Sequence, residues 1–176
     1  MNDLIAMLPI GVILCAALVV VFLDLVLAHK DRYILPWLAL SGCGLALVSI
    51  VQGGAVRTPA MWFLSHADKL NDAPLIYGGA FVVDGFGMFI WVVACLAGAL
   101  AVLIAPQQAE ESALSTGEYY GLILLAVSGM MLLSVSHDWI TLLLSLEIMS
   151  IATYILTGSS REDLRSNEAA LKYLVL

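Results

Sequence analysis

The chain alternates long apolar runs with shorter polar ones, and the lengths of the apolar runs decide how it is read. A helix needs about 20 consecutive apolar residues to cross a hydrocarbon core about 30 Å thick. Such runs extend from about Leu4 to Ala28, Leu35 to Gln52, Phe81 to Ala105, Glu118 to Val135 and Asp138 to Thr157. A sixth helix opens at Ser166-Asn167-Glu168. The pattern predicts an all-α polytopic transmembrane helix bundle of about five complete spans and the start of a sixth. Residues 1–116 hold the first three spans, and residues 117–176 the fourth, the fifth and the first half of the sixth.

Local signals punctuate these runs. Pro9 falls in the first turn of the first span, where its missing N–H costs little. Tyr33, Pro36 and Trp37 lead into the second span, and Pro106 ends the third. Gly42 and Ala46 have the small-xxx-small spacing that lets membrane helices approach closely. Ser115 and Glu118 have the spacing of a capping box, which accounts for Glu118 without a function, and Tyr119 and Tyr120 stand at the interface end of the fourth span. Asp138 is placed to cap the fifth span and Trp139 to anchor it. The polar segment 53–79 reads as an extramembrane loop carrying Arg57, His66, Asp68, Lys69 and Asp72, with an interfacial piece at Met61-Trp62-Phe63-Leu64. Asp84 falls in the first turn of the third span, where the helix dipole favours an acid. Asp24 lies near the far end of the first span, within reach of the interface and of Lys30 and Arg32.

Composition narrows the class further. The 176 residues are 62% hydrophobic and only 12% charged, against about 25% charged in ordinary soluble domains. The formal net charge of −7, with seven Lys and Arg, argues against a nucleic-acid partner, whose footprint is a basic patch. Cys15, Cys43 and Cys95 are isolated within apolar runs and match no metal spacing, so they read as buried structural cysteines and no metal site is expected. No Lys or Arg precedes the first apolar run, so a cleaved signal peptide is not expected. If the turn after the first span faces the cytoplasm, Lys30, Arg32, Arg161 and Arg165 are inside, and Arg57 and Lys69 outside. That excess predicts a multi-pass plasma-membrane protein with its N-terminus outside.

Two charged residues carry the candidate chemistry. Glu147 lies about ten residues from either end of the fifth span, roughly 15 Å deep. A charge there costs about 2.5–3.5 kcal/mol on insertion scales. Leu143, Glu147, Ser150 and Tyr154 fall on one face of the helix, which would give the acid hydroxyl neighbours. Lys172 follows in the sixth helix. Glu168 precedes it by four residues, the favoured order for a helical ion pair, and a lysine can also snorkel to the interface. On the residues alone, those readings and a functional one stay open for Lys172.

The stretch from Gly117 to Leu176 resembles the subunit N family of respiratory NADH–quinone oxidoreductase, complex I. The matching pieces are Gly117-Glu118-Tyr119-Tyr120, Gly129-Met130-Met131, Leu146-Glu147-Ile148-Met149-Ser150, and Arg165-Ser166-Asn167-Glu168-Ala169-Ala170-Leu171-Lys172-Tyr173. Before residue 117 the likeness is looser and rests on the order of spans and on Val83-Asp84. The resemblance implies one of three antiporter-like subunits that move protons through the membrane arm. It assigns Glu147 to the family's mid-membrane glutamate and Lys172 to the lysine that this acid modulates by pairing. In such a pair desolvation favours the neutral amine and the carboxylate favours the ammonium, so separating them drives proton release.

The family has about fourteen helices with an inverted repeat, so this chain is expected to be an N-terminal part that does not pump by itself. The chain is expected to bind no cofactor. NADH and quinone would be used through other subunits, and its partners would be the other membrane subunits and the lipid bilayer. The alternatives are a subunit of a multisubunit cation/proton antiporter and a scaffold subunit in which Glu147 only joins helices.

Overall fold

The computed structural model describes residues 3–27, 33–51, 75–106, 115–159 and 164–175. Among the described residues a single helical turn, Asp3–Ala6, precedes six longer helices. These are α1 (Leu8–Val26), α2 (Leu35–Ile50), α3 (Gly85–Ile104), α4 (Thr116–Val135), α5 (Trp139–Thr157) and α6 (Leu164–Val175). In lipid every backbone polar group must be satisfied within the segment, which makes the helix the default for such apolar runs. By length and composition α1, α3, α4 and α5 can each cross a membrane. The described part of α2 has 16 residues, about 24 Å at 1.5 Å per residue, and covers the expected run from Leu35 up to Gln52, which lies outside the described residues. The chain is an all-α polytopic membrane protein.

The long helices are apolar all round, so close approach at small residues sorts buried faces from exposed ones. α4 is the most buried of the four long helices and packs against α1, α3 and α5, with a smaller contact to α2. Its Gly117 and Gly121 face α1, where added Cβ atoms would collide with the Cβ of Asp24 and with Cγ2 of Val21. Gly42 of α2 does the same toward α1: a Cβ there would lie 2.5 Å from Cβ of Ala16, and Ala46 is fully buried, as the small-residue spacing foretold. Trp91 of α3 is buried and its Nε1–H donates to the Met131 carbonyl of α4 at 2.8 Å.

One end of the bundle is closed by a small hairpin. Strand β1 (Leu75–Ile76) pairs antiparallel with β2 (Phe81–Val82), in the register Leu75↔Val82 and Ile76↔Phe81. The tight turn between them holds Tyr77, Gly78 and Gly79 at positive φ. Ser136, at the end of α4, bridges to Phe81, and the His137 N–H donates to the Ala80 carbonyl at 3.0 Å. Thr141 Oγ1 donates to the same carbonyl at 3.1 Å. Because Phe81 and Val82 are taken up by this pairing, the third span begins at Gly85 rather than at Phe81. Asp84 is its N-cap, not a residue of its first turn: the carboxylate accepts from the Gly87 N–H at 2.7 Å.

Most of the polar segment 53–79 falls outside the described residues. That includes Arg57, His66, Asp68, Lys69, Asp72 and the stretch 61–64. Lys30, Arg32 and Arg161, and the side chain of Arg165, also lie outside them.

Candidate functional site

α5 begins with Asp138 as N-cap residue, whose N–H donates to Thr141 Oγ1 at 3.3 Å. Ser145 locks this end of α5 to α4, with its hydroxyl donating to the Thr141 carbonyl at 2.6 Å and sharing a 3.1 Å bond with the Ser136 hydroxyl. Ser145 and Ala152 are buried and mark the face that α5 turns to α4. Glu147 points the other way. It lies in the middle of α5 and is exposed, among the exposed side chains of Leu143, Leu144 and Ile151. Among the described residues it makes no hydrogen bond or ion pair. A carboxylate at this depth, on an otherwise apolar outer face, is costly to hold in lipid. The face is therefore suited to cover by other membrane-embedded protein.

The face expected beside Glu147 is only partly open: Leu143 and Glu147 are exposed, Tyr154, about 20° around the helix from the acid, is half-buried, and Ser150 is buried. The Thr153 hydroxyl turns back to the Met149 and Ser150 carbonyls at 3.1 and 2.8 Å. This self-satisfaction is the usual use of threonine in an apolar helix.

Behind Glu147, at almost its own height, α5 rests on Gly129 of α4. A Cβ at position 129 would lie 2.7 Å from N, 2.9 Å from Cα and 2.9 Å from Cβ of Met149. The two backbones could not approach as they do with any side chain at 129. Sequence reasoning quoted Gly129 only as part of a matching motif. Its one signal was a glycine in the middle of a buried span, where glycine costs about 1 kcal/mol against alanine.

α6 folds back against the far end of α5. Ser166 Oγ donates to the Thr157 carbonyl at 2.7 Å, and the rings of Tyr154 and Tyr173 meet edge-on with centroids 5.1 Å apart. Lys172 is paired with Glu168, one turn before it, at 2.6 Å, and the two side chains are 68% and 65% exposed. Among the described residues no ion pair joins Lys172 to Glu147. The reason is axial: Tyr173, next to Lys172, packs at Tyr154, about two turns along α5 from the acid. The helical-pair reading of Lys172 is the one this structure displays.

Asp24 stands near the end of α1, as expected, and is 6% exposed, because Gly117 in the first turn of α4 leaves room for it between the two helices. Glu118 and Ser115 form the capping box: Ser115 Oγ accepts from the Glu118 N–H at 3.3 Å, and Glu118 accepts from the Ser115 N–H at 3.1 Å. Tyr120, near the start of α4 as expected, is 1% exposed and packs into the core. Cys43 and Cys95 are buried, whereas Cys15 is exposed on α1, which corrects the expectation for that residue. Among the described residues no three His, Cys, Asp or Glu gather as a metal site would require.

Known proteins resemble this chain in sequence. A family described as NADH:quinone oxidoreductase/Mrp antiporter, TM, matches residues 136–176, which contain both Glu147 and Lys172. An NAD(P)H-quinone oxidoreductase subunit 2 of Gloeobacter violaceus is 33% identical over 96% of this chain and 30% of its own length. A chloroplastic NAD(P)H-quinone oxidoreductase subunit 2 of Nephroselmis olivacea is 32% identical over 97% of this chain and 32% of its own. An NADH-quinone oxidoreductase subunit N 1 of Koribacter versatilis is 33% identical over 99% of this chain and 33% of its own. The chain thus spans about a third of the length of the curated relatives it matches. Along nearly all of its own length the chain is similar to part of proteins named NADH-quinone oxidoreductase subunit N and NAD(P)H-quinone oxidoreductase subunit 2.

Proposed function

We propose that this chain is part of a proton-translocating membrane-arm subunit of NADH-quinone oxidoreductase. The subunit couples electron transfer from NADH to quinone to proton movement across the membrane. The observation that carries the reading is Glu147, an acid in the middle of α5, inside the segment that matches the antiporter family. The relatives' names, all quinone oxidoreductase subunits, favour this reading over a stand-alone cation/proton antiporter. The subunit would be one component of a translocase, with NADH and quinone handled by other subunits and energy arriving from them by conformational or electrostatic coupling. Moving one charge against 100 mV requires about 2.3 kcal/mol. Glu147 would be the acid on which proton movement in this part depends. Lys172 would exchange its Glu168 partner for others as the surrounding helices shift. The membrane would be the cell's inner membrane, with the N-terminus outside.

The test is proton uptake by vesicles carrying the assembled full-length complex, with NADH oxidation followed in parallel and a gel showing the complex intact. Glu147→Gln keeps the volume and removes the charge. It is expected to cut protons moved per NADH while assembly survives, and Glu147→Asp is expected to be milder. Normal pumping by Glu147→Gln would sink the reading and leave Glu147 as a contact between helices.

A further inference from the structure

We propose that Gly129 is a positioning residue for Glu147, an inference that rests on the reading of Glu147 as the proton-translocating acid. Glu147 and Met149 are two residues apart, about 3 Å along the axis and nearly opposite in direction. The point where α4 touches the back of α5 is therefore level with the acid on its front. All three close contacts at Gly129 are to Met149 N, Cα and Cβ, and the first two belong to backbone that no rotamer change can move. A side chain at 129 must then displace α5 itself. α5 is fastened on either side of Met149, by Thr141 to the Ala80 carbonyl and Ser145 to Ser136 before it and by Tyr154 to Tyr173 of α6 beyond it, so the displacement concentrates between those points. Since Glu147 faces away from α4, the displacement carries its carboxylate outward, toward whatever covers that face. Gly129 thus fixes how far the acid reaches.

Gly121 supplies the contrast. Its close contact is to a side-chain atom, Val21 Cγ2 at 2.5 Å, and it faces α1 and not α5.

The experiment uses the full-length subunit in its assembled complex and reads protons moved per NADH oxidised. Gly129→Ala is expected to lower the ratio about threefold or more, in keeping with the steep cost of misplacing a reacting group by less than an ångström. Glu147→Asp draws the carboxylate back by one methylene. It is expected to recover at least half of the loss when combined with Gly129→Ala. A merely structural role would make the two losses multiply. Gly121→Ala is expected to gain nothing from Glu147→Asp.

Should Gly129→Ala not assemble, Gly129→Ala with Met149→Gly relieves the Cβ contact, keeps the two backbone contacts and is expected to show the same loss and recovery. Failure of both to assemble would assign Gly129 to folding and overturn the inference, as would a normal ratio in Gly129→Ala or multiplying losses. Those results leave the role of Glu147 intact, provided that Glu147→Gln abolishes pumping. If Glu147→Gln pumps normally, the reading and the inference fall together.

Discussion

Trp91 of α3 gives its indole N–H to the main-chain carbonyl of Met131 in α4, across a 2.8 Å hydrogen bond buried from solvent on both sides. The same carbonyl receives the Ser134 hydroxyl at 2.8 Å. The bond joins two helices through a backbone atom, so it fixes α3 against α4 in both height and rotation. Trp91→Phe removes the donor and part of the ring. It should cost about 1–3 kcal/mol in lost hydrogen bond and cavity. A lower midpoint for heat-induced loss of the subunit from its complex checks this. Phe89→Leu, on the exposed side of the same helix, should leave the midpoint in place.

The capping box at Ser115 and Glu118 makes separable demands. Ser115→Ala loses the acceptor for the Glu118 N–H and should cost about 0.5–2 kcal/mol. Faster hydrogen exchange of the amides in the first turn of α4 would show it. Glu118→Gln retains an oxygen for the Ser115 N–H and should leave both the exchange and proton pumping largely intact. A pumping loss as large as that of Glu147→Gln would give Glu118 a role beyond the cap.

Gly117 and Gly44 should respond to alanine with opposite signs. At 117 the new carbon meets Asp24 and, at 3.1 Å, the Val20 carbonyl, so overpacking of about 1–3 kcal/mol is expected. Gly44 is exposed in α2, with nothing within 4 Å of an added Cβ. There alanine should stabilise by up to about 1 kcal/mol. Thermal midpoints of the two variants, measured in one detergent, decide the matter.

His137 is exposed at the end of the bundle that the hairpin closes. With the N-terminus outside, that end faces outward. His137→Cys, in a background without the native cysteines, should react with an impermeant thiol reagent added from outside. Protection from outside, with labelling after the membrane is opened, would invert the topology.

The helices were legible because long apolar runs leave a chain in lipid few choices of backbone. Capping at Ser115 was legible because it depends on residues three apart. The start of the third span was misread because Phe81 and Val82 suit a strand and a span equally. Their pairing with Leu75, Ile76 and Ser136 is a relation between distant segments. The burial of Asp24 and Tyr120 escaped for the same reason, since each depends on which face of α4 meets α1. Glu147 was found by its depth alone. The direction in which it points was not, because α5 is apolar on every side and its period does not distinguish α4 from lipid. Gly129 could be read only as an isolated glycine until Met149 was seen against it.

The shelter of Asp24 has a consequence for how the chain is made. Its cover is Gly117, in a helix synthesised only after α2 and α3. Synthesis proceeds from the N-terminus at about 5–20 residues per second, so for several seconds α1 has an acid on a face that α4 does not yet shield. The first helix of this protein therefore settles only when the fourth arrives, and a nascent chain stalled before residue 115 would hold α1 loosely in the membrane.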